Sequence, residues 1–232
     1  MAEATTARER PLTLRAAEVR AVLDGRKTQV RVVARIAENG AVCLKDRYAA
    51  FARDGIGLVW RPCAGASERP MPPEKVSEYS PFGPVGSRLW VRETAELSSI
   101  CGYNVPGATM ELSYAAGGRR HFDRDVCGTP YANGGNLFAR ARSPIGMPRW
   151  ASRLTLEIAE VRVERLNAIS EADAVAEGVD AVTMADVPRQ AAWSRRDDFR
   201  QLWDSTNGKK PGRSWADSPW VWAITFRRVE TC

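Results

Sequence analysis

A chain of 232 residues that is 44% hydrophobic and 27% charged can bury a sizeable core, which excludes a disordered or fibrous chain. No stretch approaches the roughly 18 consecutive apolar residues of a membrane-spanning helix, and the opening "MAEATTARER" lacks the apolar block of a secretory signal, so a cytoplasmic location is the expectation. The net charge of +6 excludes no class but favours anionic partners, nucleic acid among them.

Residues 1–10 read as a loose tail and 11–232 as one domain. From Thr13, "TLRAAEVRAVLDG" predicts a helix with Val19, Val22 and Leu23 on one face and Gly25 as its stop. "DGRKTQVR" follows, with three cations and a hydroxyl in eight residues. Arg26 and Lys27 there either offset the helix dipole, by about 0.3–1 kcal/mol each, or floor a site for something anionic. "QVRVVARI" predicts a strand, and residues 61–88, rich in Pro, Gly and Ser, predict a long loop. "SRLWVRETAEL" returns to a strand, with Leu89, Val91 and Glu93 alternating against Trp90 and Arg92.

Residues 97–148 have broken periodicity and predict irregular hairpins and loops, an insertion that borders a site rather than a second domain with its own core. "SRLTLEIAEVRVERL" is the clearest strand. Leu154, Leu156 and Ile158 hold one parity, Val161 and Val163 the other, so a bulge is expected at Ala159–Glu160. "SEADAVAEGV" predicts a short helix with Ser170 as N-cap, Asp173 in capping-box position and Gly178 as terminator. "RDDFRQLWDST" predicts a helix with Phe199, Leu202 and Trp203 as its apolar stripe. "WVWAITFRRV" predicts a last strand with Trp220, Trp222, Ile224 and Phe226 on one face. Bent strands with few helices favour an α+β fold built on a small barrel.

The five cysteines (Cys43, Cys63, Cys101, Cys127 and Cys232) are scattered without a CxxC pair, which favours reduced thiols over disulfides or a zinc ribbon. His121 is the only histidine, so acid–base chemistry would fall to Lys, Glu, Asp or Tyr. Neither a metal nor a cofactor is expected: His121, Asp123 and Asp125 lack ligand spacing. The eight tryptophans either fill the core or stand beside arginine as stacking platforms for bases. "MPRWASR" brings Arg149, Trp150 and Arg153 together as a stacking-and-phosphate patch, with Trp150 as a core anchor the alternative. Arg92 and Glu93 form either a strand salt bridge or the wall of a ligand cleft. Tyr103, Tyr114 and Tyr131 either line a base pocket or staple loops.

The ordered set "LDGRKTQVR", "GSRLWVRET", "MPRWASRLTLEI", "ISEADAVAEGV", "FRQLWDSTNG" and "SPWVWAITF" resembles the ASCH-domain family, in particular its phage and prophage members. The resemblance runs from about Leu12 to Phe226. It implies a PUA-like small β-barrel with flanking helices, and recognition of RNA, single-stranded nucleic acid, a nucleotide or a modified nucleobase. Some small bacterial members are amidohydrolases acting on acetylated cytidine, with a catalytic Lys, Thr and Glu. The Lys falls on Lys27 and the Glu on Glu177, whereas the Thr position is Val30, which has no hydroxyl to attack with. An Arg common two residues further on falls on Val32, beside Arg31.

A carboxylate one residue before a terminating glycine sits at a helix C-terminus, where the dipole disfavours it unless a cation compensates. Lys27 is the expected partner of Glu177 across a concave site, with Val30 pointing into that site. The nucleic-acid or nucleotide contacts expected are Arg26, Lys27, Thr28, Arg31, Trp90, Arg92, Glu93, Arg149, Trp150 and Arg153. A binding module without efficient catalysis is the first reading. A hydrolase of amidohydrolase or nuclease type using Lys27 and Glu177 is the second, and a phage protein–protein adaptor the third.

Overall fold

The computed structural model describes residues 9–34, 43–44, 47–51, 58–62, 69–101, 109–123, 143–179 and 194–229. Its centre is a five-stranded sheet of β1 (Arg10–Thr13), β7 (Arg88–Arg92), β11 (Thr155–Arg165), β12 (Trp220–Val229) and β2 (Gln29–Val33), side by side in that order. β1 runs parallel to β7, and the other neighbours are antiparallel. β1 and β2 are the two edges, and closure into a barrel is not among the described pairings. Two smaller antiparallel sheets accompany it: β3 (Cys43–Leu44), β4 (Arg47–Phe51), β5 (Leu58–Pro62) and β6 (Arg69–Pro70); and β8 (Ala95–Cys101), β9 (Thr109–Tyr114) and β10 (Arg119–Asp123). The helices are α1 (Ala16–Leu23), α2 (Pro73–Glu78), α3 (Glu171–Ala176) and α4 (Arg195–Asn207). The architecture is α+β with a sheet-dominated core, and no helix among the described residues is long and apolar enough to cross a membrane.

The bulge in β11 decides how the sheet uses its two faces. Register shifts between Ile158 and Glu160. The inserted residue switches the inward parity from Leu154, Leu156 and Ile158 to Val161 and Val163, so one face stays apolar along the bent strand. Trp222, Ile224 and Phe226 of β12, Leu89 and Val91 of β7, and Val30 of β2 complete that face, with Val19 and Val22 of α1 and Val76 of α2 packed on it. The other face is mixed. Its β2–β12 end is covered by a second apolar cluster in which Val221 meets Ala174 of α3 and Phe199 and Trp203 of α4. The result at that end is a helix–sheet–helix sandwich.

Three expectations are corrected here. Residues Arg10–Thr13 form an edge strand, and the first helix begins at Ala16 rather than Thr13. Leu12 and Leu14 alternate inward with exposed neighbours, a period of two that overrides the helical spacing further on. Within the predicted loop 61–88, Pro73–Glu78 is helical, opened by Pro73 at its first position, where no backbone donor is lost. Residues 97–148, read as irregular hairpins and loops, do contribute hairpin strands, but these pair in an ordered antiparallel ladder. Ala95, Leu112 and Tyr114 pack there with Met147 and Ala151. Residues 1–8, Cys63, Tyr103, Asp125, Cys127, Tyr131 and Cys232 lie outside the described residues.

The helix punctuation follows the sequence. Ser170 Oγ accepts from the Asp173 amide at the start of α3, and Ser194 opens α4 with a reciprocal capping box to Asp197. Asp173 does not return the bond to Ser170; its carboxylate is committed elsewhere.

Candidate functional site

Strand parity assembles the site. On the face of the sheet opposite the main core, Gln29, Arg31 and Val33 of β2 lie beside Thr225, Ala223 and Val221 of β12. Past the bulge, Glu160, Arg162 and Glu164 of β11 lie beside the same three β12 residues. Ala223 therefore separates two arginines in one cross-strand row, and its small side chain leaves room for both guanidinium groups. α3 lies over these rows. Asp173 and its C-cap Glu177 are four apart, so both point down from one face of the turn.

Lys27 reaches the same spot from the other side. Gly25 adopts φ +73 to end α1, and the chain doubles back so that the Lys27 and Arg26 amides both donate to Ala21 O. Lys27 then forms an isolated antiparallel β-bridge with Glu177, and the Thr28 amide donates to Ala176 O at 2.8 Å. The close approach depends on Gly178 (φ +77), where a Cβ would stand 2.9 Å from Lys27 Cβ and 3.1 Å from Ala21 Cβ.

The structure thus brings Lys27 and Glu177 together: Lys27 Nζ donates to Glu177 Oε2 at 2.8 Å and to Glu177 O at 2.9 Å, and stands 3.6 Å from Glu18 Oε1. Glu177 Oε1 accepts from Arg31 Nη1 at 3.1 Å. Arg31 also donates to Gln29 and, through Nε and Nη2, to Glu164, and its Nη2 is 3.3 Å from Asp173 Oδ2. Its outer side faces the Phe199 ring at 5.9 Å. Asp173 Oδ1 accepts from Gln29 at 3.1 Å and Arg162 at 3.0 Å. Side chains of Lys27, Arg31 and Glu177 are at most 4% exposed, so the ion pairs act in a medium of low dielectric.

Two carboxylates at the rim titrate low. Burial alone would raise Asp173, but the charges of Arg162 and Arg31 and the hydrogen bonds from Arg162 and Gln29 together hold it below its ordinary value. For Glu18 burial also opposes ionisation, and the charges of Lys27 and Arg15 with the Arg15 hydrogen bonds outweigh it. Both groups hold protons less tightly folded than unfolded, so their stabilisation is present at neutral pH and is lost on acidification. The urea midpoint is expected to stay level down to about pH 5, then fall as pH drops through the ordinary values of 3.8 and 4.5 and below.

Val30 does not point into this cluster. It pairs with Ile224, which pairs with Val161, and all three belong to the main apolar core. A one-residue offset from Gln29 and Arg31 sends it to the opposite face. Val30→Thr is therefore expected to lower stability by about 1–2 kcal/mol through a buried hydroxyl, measured by urea denaturation, and to confer no hydrolytic activity.

The remaining expected residues fall elsewhere. Arg26 is exposed and pairs with Asp24, and the Thr28 side chain is exposed. Glu93 is 1% exposed and forms a two-pronged ion pair with Arg153, Nε to Oε1 at 2.7 Å and Nη2 to Oε2 at 2.8 Å. The Arg153 guanidinium lies 4.2 Å over the Tyr114 ring, whose hydroxyl donates to Ala151 O and is pushed up to about 12 by burial. Arg153, which also donates to Gly117 O in the β9–β10 turn, thus ties Glu93 at the end of β7 to the smaller sheet, and Tyr114 packs under its guanidinium as a staple. Trp90 is buried under Arg92, Arg149 pairs with Glu9, and Trp150 meets the Phe122 edge at 5.2 Å.

No family model matches the chain, and neither a curated protein nor a solved structure matches it. Among the described residues no group of three His, Cys, Asp or Glu side chains is placed to hold a metal, and His121 is exposed on β10.

Sequence reading missed Glu18, Gln29, Arg162, Glu164 and Asp173. Their signal was parity: Gln29 and Arg31 are two apart, as are Arg162 and Glu164, on the side of each strand opposite its valines. What the cluster can do follows from how fully its centre is engaged; at its edge Arg162 Nε has no hydrogen-bond partner among the described residues. Each Lys27 donor has an acceptor in reach, and both Glu177 oxygens hold a cation. The five carboxylates (Glu18, Glu160, Glu164, Asp173 and Glu177) outnumber the four cations Lys27, Arg31, Arg162 and Arg15. Such a cluster shapes a wall and offers carboxylate acceptors at its rim, at Glu164 and Asp173, rather than a free cation.

Proposed function

We propose that this chain is an ASCH-type, PUA-like barrel module that recognises RNA, a nucleotide or a modified nucleobase without turning it over. The observation that carries the reading is the Lys27–Glu177 contact at 2.8 Å, backed by a backbone bridge between the same two residues. It joins the two residues that the ASCH resemblance assigns to one site. The rim carboxylates suit the exocyclic amino groups and ring N–H donors of a base. Native mass spectrometry against a nucleoside panel, modified bases included, tests this. Retention of one base class is expected, and no retention together with no RNA binding would overturn it.

An acetylcytidine amidohydrolase is the second reading, favoured by the same Lys27–Glu177 contact. Two features speak against it: Val30 lies in the core, and the Lys27 ammonium is fully engaged by Glu177 and Glu18. Product formation from acetylcytidine, lost in Lys27→Met, would decide for the enzyme.

A further inference from the structure

The charge balance of the Lys27 cluster raises a question. If nucleic acid binds, its phosphates need cations that are not already spent on carboxylates. The basic surplus lies at the other end of the same sheet face.

Arg88, Trp90 and Arg92 are alternate residues of β7, so all three point to the face opposite the main core. The Arg92 guanidinium stacks on Trp90 at 4.7 Å. Its buried Nε has no acceptor among the described residues, and no carboxylate pairs with it there. Because that Nε is buried, it is the remainder of the stacked guanidinium that is open to an outside acceptor, and no described residue bonds to it. Next to it, Trp90 pairs with Thr155 of β11, and Arg149 Nη2 donates to Thr155 Oγ1 at 3.3 Å. Trp150 follows Arg149 and meets Phe122, over which the exposed Arg120 lies at 5.3 Å. Arg120 also donates to Ser152 O, whose own hydroxyl donates to Val91 O of β7. These contacts, several of them buried, link β7 to β10.

Two carboxylates border these residues. Glu9 pairs with Arg149, and Glu157 with Arg227 of β12. Among the described residues no carboxylate is bonded to Arg88, Arg92 or Arg120, although the charge of Arg88 acts on Glu9 and Arg88 faces Glu157 across the ladder; Arg92 and Arg120 carry their charge over aromatic rings. From Thr155 to Arg162 the strand covers roughly 20 Å, so this surface is separate from the Lys27 cluster although both lie on the same face.

We infer that the Arg88–Arg92–Arg120 surface is the phosphate-contacting face for single-stranded nucleic acid, with Arg92 offering its outer guanidinium plane to a base. The inference rests on the nucleic-acid reading above and locates its backbone contacts away from Lys27 and Glu177. Because Trp90 is buried, base stacking falls to the guanidinium and not to the indole. Phosphate contacts by arginine release counterions, so affinity must fall with salt, by a slope of about 0.7 for each contact on a single strand.

The test is fluorescence anisotropy with a labelled oligouridylate of about 12 nucleotides, over a salt series from about 50 to 200 mM. Arg92→Ala and Arg120→Ala are each expected to weaken binding at least about three-fold and to flatten the salt slope by about one contact. Arg88→Ala/Arg92→Ala/Arg120→Ala is expected to weaken it by about thirty-fold or more. None of these side chains holds an ion pair with a described residue, so the variants should fold, which circular dichroism checks. Lys75→Ala, which removes an exposed ammonium paired with Glu78, is expected to bind as the natural chain does. Salt-dependent binding that all the variants retain would overturn this surface and leave the function standing. No binding by the natural chain at the lowest salt would overturn both. Equal binding of an oligoglutamate, lost in the same variants, would assign the surface to an acidic protein partner and overturn the nucleic-acid assignment.

Discussion

Glu177→Ala is expected to destabilise the protein by about 3–5 kcal/mol, the largest effect of any single side-chain truncation at the site. Two buried cations lose their shared anion at once: Lys27 keeps one backbone acceptor and a carboxylate at 3.6 Å, and Arg31 keeps Glu164 and Asp173. The cost comes from the uncompensated charge rather than from the lost contact area. Removing both sides of the pair should therefore cost less than the sum. Lys27→Met combined with Glu177→Leu is expected to recover a substantial part of the loss, and urea denaturation of the two singles and the double reads the coupling directly. Additive losses would mean that the two residues do not sense each other.

Gly178→Ala is expected to cost about 2–4 kcal/mol for an independent reason. At φ +77 an L-residue carries a backbone penalty of about 1–2 kcal/mol, and the added methyl would overlap Lys27 Cβ at 2.9 Å. Ala21 Cβ at 3.1 Å blocks retreat in the other direction. The Lys27–Glu177 bridge must open, so the same variant should also raise amide exchange at Thr28, whose amide donates to Ala176 O. An unchanged urea midpoint would show that this turn relaxes without strain.

Much of the central sheet was legible because its pattern is local. The parity switch in "LTLEIAEVRV" gave the bulge, and "WVWAITF" gave the inward face of the last strand, since a half-buried strand repeats every second residue. The caps at Ser170 and Gly178 were legible for the same reason: each is set by a residue and its neighbours within one turn. The edge strand at Arg10–Thr13 was not, because it is stabilised by pairing with β7, far off in sequence. The ladder of β8–β10 was legible only as hairpins, because its strands are short and their bounds depend on tertiary pairing.

The candidate site shows the same division. Lys27 and Glu177 could be named from a resemblance and from an awkward carboxylate at a helix end. The ring of Gln29, Arg31, Glu164 and Asp173 around them depends on which strands become neighbours, and strand order is not written in any one segment. Val30 illustrates the cost of reading position without parity. It is three residues after Lys27, yet strand alternation from Gln29 onward turns it into the core.

The most direct test of recognition without chemistry is to incubate the protein with a single-stranded oligoribonucleotide carrying one acetylcytidine, following bound fraction and oligonucleotide mass together. The account predicts a salt-sensitive complex from which the oligonucleotide is recovered with its acetyl group intact. Absence of any complex at low salt, or loss of the acetyl group that disappears in Lys27→Met, would contradict it.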